Sequence, residues 1–154
     1  MRKVALLAIL GILGVMPAFG QATTTTTQGS APVSFTTFDS CTSENVTFTG
    51  SVQFVTTVTI NKNRLALSLE ANYQDVTGTG LTTGDTYHAP GTSHETFTST
   101  SAMSFPAEFS FEEHVGLVSN GPAPNEMLAT TIHLTVNADG TTTADVTDMS
   151  IECQ

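Results

Sequence analysis

Residues 45–60 read NVTFTGSVQFVTTVTI, and apolar and polar side chains alternate along almost all of this stretch. The apolar side chains that share one face are Val46, Phe48, Val52, Phe54, Val58 and Ile60. Alternation with a period of two is typical of a β-strand that buries one face. A single strand of this length would extend about 50 Å, which is longer than most strands, so Gly50 is the expected place for a bend or bulge.

A second alternating run follows directly. The polar turn Asn-Lys-Asn at 61–63 separates the two runs, and the apolar side chains of the second run are Leu65, Leu67, Leu69, Ala71 and Tyr73. Two alternating runs joined by a short polar loop predict a β-hairpin.

The rest of the chain repeats this pattern less regularly. Apolar residues alternate over 105–117 and 127–136, Asn-Ala-Asp-Gly at 137–140 is a turn signal, and the phase of the last strand changes near 147–148. That change of phase predicts a β-bulge. The sequence therefore predicts an all-β domain of about seven or eight antiparallel strands, folded as an up-and-down barrel or a two-sheet sandwich. We favour the barrel, because closure removes both exposed sheet edges.

The first 20 residues have the pattern of a secretory signal peptide. Arg2 and Lys3 precede an apolar run over 4–15, and small residues precede a cleavage point after Gly20 or Ala22. The run is shorter than the stretch of about 20 residues that a transmembrane helix needs. We therefore expect a protein that is secreted or periplasmic, with no membrane span in the mature chain.

Residues 21–32 are rich in Thr and carry no large apolar side chain that would anchor them. This composition predicts a disordered lead. The residues that remain are enough for one domain with one core. The expected organisation is a signal peptide over 1–20, a Thr-rich lead over 21–32 and a single all-β domain over 33–154.

The chain beyond residue 20 is strongly acidic. It contains all 14 acidic residues but only two basic ones, Lys62 and Arg64, which gives a net charge of −12. Such a surface repels phosphate backbones and anionic lipids, so nucleic-acid and membrane-surface partners are disfavoured. The same charge permits the binding of a cation, or simply keeps an exported protein soluble.

Two cysteines, Cys41 and Cys153, lie near the two ends of the expected β-domain. In an oxidising compartment we expect a disulfide that joins the first and last parts of this domain. A redox-active role is disfavoured, because the chain has no Cys-x-x-Cys motif.

Glu113 is the most unusual polar residue in the alternation. It shares the phase of Phe109, Phe111 and the apolar residues that follow, so it is expected to point inward. A buried carboxylate is costly unless it is paired or protonated. Two interpretations are open: Glu113 lines a site for a small apolar ligand with Tyr73, Phe109 and Phe111, or a bulge at 112–113 places it in water.

The candidate metal ligands lie within eleven residues, and they are Asp85, His88, His94 and Glu95. Imidazole and carboxylate groups suit zinc or another first-row metal. The spacing matches no established zinc motif, so the alternative is four solvated loop side chains. The sequence assigns no cofactor and no catalytic residue.

Three turn-rich blocks, GTGLTTGDTY at 78–87, NGPAPN at 120–125 and HLTVNADG at 133–140, resemble a family of small secreted bacterial all-β proteins to which no activity is assigned. The resemblance extends over residues 41–153. It implies a secreted β-domain closed by a disulfide, and it transfers no catalytic residue.

Three functions are compatible with these features. The first is a non-catalytic secreted β-domain that acts as a binding or envelope-associated module, which the export signal and the lack of a catalytic motif favour. The second is a carrier that holds a small apolar ligand in the lumen of a barrel. The third, an enzyme that uses Glu113 or the segment around His88 and His94, is the least favoured.

Overall fold

The computed structural model describes residues 21–62, 64–99 and 102–153, so the signal peptide predicted over 1–20 lies outside the described residues. This part of the chain forms nine strands and no helix. The strands are β1 (Thr23–Asp39), β2 (Glu44–Asn61), β3 (Arg64–Asn72), β4 (Thr77–Gly80), β5 (Thr86–His88), β6 (Thr92–Thr98), β7 (Ala107–Ser119), β8 (Glu126–Val136) and β9 (Thr142–Glu152). Within the described ranges, therefore, no helix is long and apolar enough to cross a membrane.

All nine strands belong to one antiparallel sheet, which is organised around the long strand β2. β1 pairs with β2 along its whole length. On the opposite edge of β2, residues 46–49 pair with β4 and residues 53–61 pair with β3. The sheet continues from β4 through β5, β7 and β8 to β9, and from β3 to β6.

The change of partner along β2 occurs close to Gly50, where the sequence predicts a bend or bulge. Gly50 has a φ of +131°, and a Cβ atom there would overlap the backbone oxygen of Asp75. Glycine tolerates both this backbone conformation and so close an approach. The turn that follows β3 can therefore pass close to β2 and place β4 beside its first half.

The all-β class is confirmed, but the sheet is not closed into the barrel that we favoured. The edges of β1 and β9 lie side by side, yet these two strands are not paired with each other in the described residues. The strand order also differs from an up-and-down order, because β3 pairs with β6 while β4 pairs with β2. The described residues form nine strands instead of seven or eight.

The prediction of a disordered lead over 21–32 is wrong, because β1 begins at Thr23. Each residue of Thr23–Asp39 is paired with a residue of β2. Threonine side chains add contacts across the two strands, such as the 2.9 Å hydrogen bond between the hydroxyls of Thr24 and Thr59. Backbone pairing and the strand preference of threonine thus order a segment that has few buried apolar side chains.

The alternation predicted for the other long strands is present in the structure. The inward residues of β2, β3 and β8 are buried, and they contribute to two apolar clusters between the folded-over halves of the sheet. In the pairing of β8 with β9, Thr131 faces Asp148 and Ile132 faces Val146. Thr147 is therefore the extra residue of a β-bulge, at the position where the change of phase predicts one.

Candidate functional site

Three buried polar side chains meet near one end of the sheet, and we refer to Asp39, Tyr87 and Glu126 as the acidic cluster. Asp39 ends β1, Tyr87 lies in β5 and Glu126 begins β8. Their exposed fractions are 0%, 1% and 1%, respectively. One carboxylate oxygen of Asp39 and one of Glu126 lie within 4.8 Å of each other and of the Cys41 sulfur.

The acidic cluster is not predicted from the sequence, although part of the signal for it is present there. The alternating run predicted over 127–136 begins at Met127, so it does not include Glu126. Extending it back by one inward step from Leu128 places Glu126 on the buried face, as the structure shows. Asp39 shares the inward phase of β1, but that strand was assigned to the disordered lead up to residue 32.

The members of the acidic cluster differ in their hydrogen bonds. Asp39 Oδ1 accepts the backbone N–H groups of Cys41 at 2.7 Å and Thr42 at 3.4 Å, and the Thr42 hydroxyl donates to Oδ2. Both carboxylate oxygens of Glu126 and the hydroxyl of Tyr87 have no hydrogen-bond partner among the described residues. The cluster therefore contains three buried oxygen atoms without a hydrogen bond of good geometry, although Asp39 approaches Glu126 and the Thr42 hydroxyl approaches Tyr87.

Burial and the neighbouring acidic charges shift the pKa values of two members of the acidic cluster. Burial, followed by the charge of Asp39 and by a close approach of the two carboxyl groups, raises the pKa of Glu126 to about 7. Burial, followed by the charges of Glu126 and Asp39, raises the pKa of Tyr87 to about 12.

The basic residues Lys62 and Arg64 lie at the turn between β2 and β3, and neither forms an ion pair with an acid in the described ranges.

Glu44 is a buried acid close to the cluster, and its oxygens are well satisfied. It faces Asp39 in the pairing of β1 with β2. Its carboxylate accepts the backbone N–H groups of Thr82 at 2.8 Å and Thr83 at 3.1 Å, and the Thr83 hydroxyl at 2.7 Å. The hydroxyl bond from Thr83, followed by the backbone bonds, lowers the pKa of Glu44. Glu44 therefore stays ionised and holds the turn after β4.

The disulfide expected between Cys41 and Cys153 is present in the structure. It joins the turn after β1 to the residue that follows β9, with the two Cα atoms 5.6 Å apart. The bond therefore holds the edges of β1 and β9 together at the same end of the sheet as the acidic cluster.

Glu113 points inward, as the alternation predicted, and is 2% exposed. Its Oε2 atom accepts hydrogen bonds from the hydroxyls of Tyr73, at 3.0 Å, and Ser93, whereas Oε1 has no partner among the described residues. Burial raises the pKa of Glu113 to about 7, against the effect of the Tyr73 hydrogen bond. The bulge considered at 112–113 does not form, because the pairing of β7 with β8 is continuous there.

The two phenylalanines assigned to a ligand site lie further along β7. The rings of Phe109 and Phe111 stack with their centres 6.2 Å apart, and Phe109 contacts Phe97 with ring centres 5.0 Å apart. These side chains pack against the apolar clusters of the core. A ligand site formed by Tyr73, Phe109, Phe111 and Glu113 stays a prediction.

The structure separates the candidate metal ligands. Asp85 and His88 lie at or next to β5, whereas His94 and Glu95 lie in β6, which pairs with β3. His94 is exposed, and its Nε2 atom lies 3.0 Å from the hydroxyl of Ser68. Across the described ranges, no three of these four side chains bring their ligand atoms together. The structure therefore does not assemble them into a metal centre.

The facing edges of β1 and β9 form what we name the seam. Side chains cross it near one end, where the Thr25 hydroxyl donates to the backbone oxygen of Asp139 at 3.0 Å. Beside this contact, a cavity of about 220 Å³ opens between residues 27–30 of β1 and 142–144 of β9, with Phe54 in its wall. No site at the seam is predicted from the sequence, because residues 27–30 fall within the segment predicted to be disordered.

Comparison of the chain with protein-family models, with curated proteins and with solved structures found no match. The family resemblance noted from the turn-rich blocks stays a prediction.

Proposed function

We propose that the protein is an exported, non-catalytic binding module that takes up an extended polypeptide segment at the seam. The observation that carries the proposal is the pair of facing edges, which lie side by side without forming a strand pairing in the described ranges. An edge strand leaves half of its backbone N–H and C=O groups without a strand partner. An extended polypeptide satisfies such groups by adding a strand to the edge.

The position of the seam cavity supports a polypeptide ligand, because the cavity lies along two strand edges. Residues 27–30 and 142–144 contribute backbone and hydroxyl groups, and Phe54 adds an aromatic surface. The volume of about 220 Å³ is below the range of about 300–1,000 Å³ that is typical of small-molecule pockets, and the adjoining space of about 410 Å³ along residues 28–30 and 53–55 is a more open surface groove. The cavity suits a side chain of a docked strand whose backbone pairs with the sheet.

Gly29 is the position at which docking can be blocked without disturbing the fold. It is an exposed residue of the cavity wall, and a Cβ atom there would meet no other atom within 4 Å. A longer side chain at this position would occupy the seam. Gly116 in β7 is also exposed and equally open, so Gly116→Glu is a matched control for Gly29→Glu.

The experiment is a selection of short random peptides from a displayed library, with the processed, oxidised protein as bait. We expect selected peptides to bind wild type and Gly116→Glu equally, and to bind Gly29→Glu at least about tenfold more weakly. Hydrogen exchange should slow at 27–30 and 142–144 when such a peptide binds. A library that yields no binder, or binders indifferent to Gly29→Glu, would contradict the proposed function.

Export is a separate part of the proposal. It is supported by the signal-peptide pattern over 1–20 and by the disulfide, which is typical of oxidising compartments. Intact-mass and N-terminal analysis of protein from the envelope and medium of the producing cells tests it. We expect an oxidised chain that begins at Gln21 or Thr23, whereas an uncleaved, reduced chain inside the cell would rule out export.

A further inference from the structure

The oxygen atoms of the acidic cluster outnumber the donors that the chain provides for them. Glu126 and Tyr87 are each 1% exposed, and neither the two carboxylate oxygens nor the phenol hydroxyl has a partner among the described residues. Buried polar groups in folded proteins are normally hydrogen-bonded. The Tyr87 hydroxyl is a second observation, because it belongs to a neutral side chain on a different strand from either acid and has no hydrogen bond of good geometry, although the Thr42 hydroxyl approaches it.

We propose that Asp39, Tyr87 and Glu126 form a binding site for a divalent cation of the Ca²⁺ type. Ca²⁺ binds oxygen ligands at about 2.3–2.6 Å, so two ligands of one ion lie at most about 5 Å apart. The carboxylate oxygens of Asp39 and Glu126 meet this limit, since they lie within 4.8 Å of each other. The site is independent of the seam and of any polypeptide that docks there.

Each member of the cluster has a defined part in this site. Glu126 offers two free carboxylate oxygens, and Tyr87 offers a neutral oxygen. The N–H groups of Cys41 and Thr42 hold Oδ1 of Asp39 and so orient its carboxylate. Ca²⁺ takes six to eight oxygen ligands, so water completes the coordination.

Two features of the cluster favour a bound hard cation, one over zinc and the other over a positively charged side chain of the protein. Cys41 is in the disulfide, so it supplies no thiolate for zinc while the bond is intact. A lysine or arginine of the protein could also neutralise the two acids. However, Lys62 and Arg64 lie at the turn between β2 and β3, at the opposite end of β2 from Glu44 and the acidic cluster. A buried pair of carboxylates without such a partner requires a bound cation or a shared proton, and the experiment distinguishes the two.

The two tyrosines of the chain make the site directly observable. The protein has no Trp, and its tyrosines are Tyr73, which bonds to Glu113, and Tyr87, which belongs to the cluster. Tb³⁺ replaces Ca²⁺ at oxygen sites and emits when a neighbouring excited tyrosine transfers energy to it. We expect tyrosine-sensitised Tb³⁺ emission that Ca²⁺ competes away. Tyr87→Phe should abolish this emission, and Tyr73→Phe should retain it.

The second measurement is thermal unfolding of the oxidised protein with and without Ca²⁺. We expect millimolar Ca²⁺ to raise the Tm of wild type by a few degrees, because an ion that binds only the folded state stabilises it. Glu126→Gln should weaken the apparent affinity for Ca²⁺ at least about tenfold. Glu113→Gln, a change at the other buried glutamate with an unpartnered oxygen, should leave the Ca²⁺ response unchanged.

The outcomes separate a cation site from a shared proton. Glu126→Gln is expected to fold, because the amide has nearly the same volume and carries no buried charge. A wild-type protein that shows neither sensitised emission nor a Ca²⁺-dependent Tm overturns the proposal in favour of a proton between Asp39 and Glu126. It is also overturned if Glu126→Gln keeps the wild-type response, or if the emission depends on Tyr73 instead of Tyr87.

Discussion

Glu44, Glu113 and Glu126 are all buried, but the pKa of Glu44 is shifted in the opposite direction from the other two, because its hydrogen bonds outweigh the effect of burial. Glu44 accepts three hydrogen bonds and its pKa is lowered. Glu113 accepts two and Glu126 accepts none among the described residues, and burial raises the pKa of each to about 7. At the scale of single residues, the balance between burial and local donors therefore sets the direction in which the pKa of each buried acid is shifted.

Glu113→Gln should change how stability depends on pH. The pKa of Glu113 is raised from 4.5 to about 7 in the folded protein, so its contribution to stability is present at acidic pH and is lost as the pH rises from about 4.5 through about 7. We expect Glu113→Gln to be more stable than wild type at pH 8, by at most about 3 kcal/mol, and to have a flatter pH profile. Urea unfolding across this pH range measures the difference.

The exposed neighbour Glu112 provides the control for this prediction. Its side chain is 69% exposed, so Glu112→Gln should leave the pH profile close to that of wild type. Part of the pH dependence will remain in Glu113→Gln, because the pKa of Glu126 is raised in the same direction. Equal pH profiles for Glu113→Gln and wild type would contradict the prediction, because they would show that ionisation of Glu113 does not lower the free energy of unfolding.

Gly50→Ala should destabilise the protein by more than about 1 kcal/mol. The substitution combines a φ of +131° with a Cβ atom that overlaps the backbone oxygen of Asp75. Gly116→Ala is the comparison, because a Cβ there would meet no other atom within 4 Å. Denaturant unfolding of both variants tests this, and equal stabilities would mean that the turn after β3 moves away from β2 easily.

At the scale of the element, β9 changes phase and still buries apolar residues on both sides of the change. Val146 and Met149 are both buried, although they are three positions apart in sequence, an odd spacing that would normally place them on opposite faces. The bulge at Thr147 makes this compatible with a single inward face, because it adds one unpaired residue to β9. The bulge therefore preserves the register of Ile151 and places Cys153 beside Cys41.

Deletion of Thr147 should be tolerated better than deletion of Ser150. Without Thr147, Val146 and Asp148 become consecutive and every pair of β9 with β8 is kept. Without Ser150, Ile151 moves to the exposed phase and Cys153 shifts relative to Cys41. We expect the second deletion to cost about 3 kcal/mol or more beyond the first in free energy of unfolding. Urea titrations of the oxidised deletion variants, with free thiols counted, decide between them.

At the scale of the whole molecule, the sheet bends over on itself without joining its edges through the backbone. The contacts across the seam come from side chains such as Thr25 and from the disulfide between Cys41 and Cys153. A disulfide limits the freedom of the unfolded chain more as the loop that it closes becomes longer. In this protein the two cysteines are separated by 112 positions in the sequence, so the loop includes most of the domain.

Replacement of both cysteines, Cys41→Ser with Cys153→Ser, should therefore lower stability by up to about 5 kcal/mol. Guanidinium unfolding of the variant against oxidised wild type gives the magnitude. Wild type treated with a reductant provides a second route to the same state, and it should lose a similar amount. A double variant as stable as the oxidised protein would show that the other contacts across the seam suffice.

The sequence by itself determined the features that depend on neighbouring residues along the chain. Alternation predicted the strands of the 45–60 and 64–73 runs and the bulge near Thr147, because the side-chain period of a strand is a local property. It left open whether Glu113 is buried, which the continuous pairing of β7 with β8 decides. Cysteine placement likewise predicted the disulfide. These features needed no knowledge of which strands are adjacent.

Only the tertiary structure decided which strands pair and what their pairing brings together. β1 has few buried apolar residues, and its order depends on a partner strand that local composition does not reveal. The division of β2 between β3 and β4, and the seam left open between β1 and β9, follow from contacts between distant parts of the chain. Asp39, Tyr87 and Glu126 lie on three strands far apart in sequence, so their meeting is a property of the sheet and not of any local pattern.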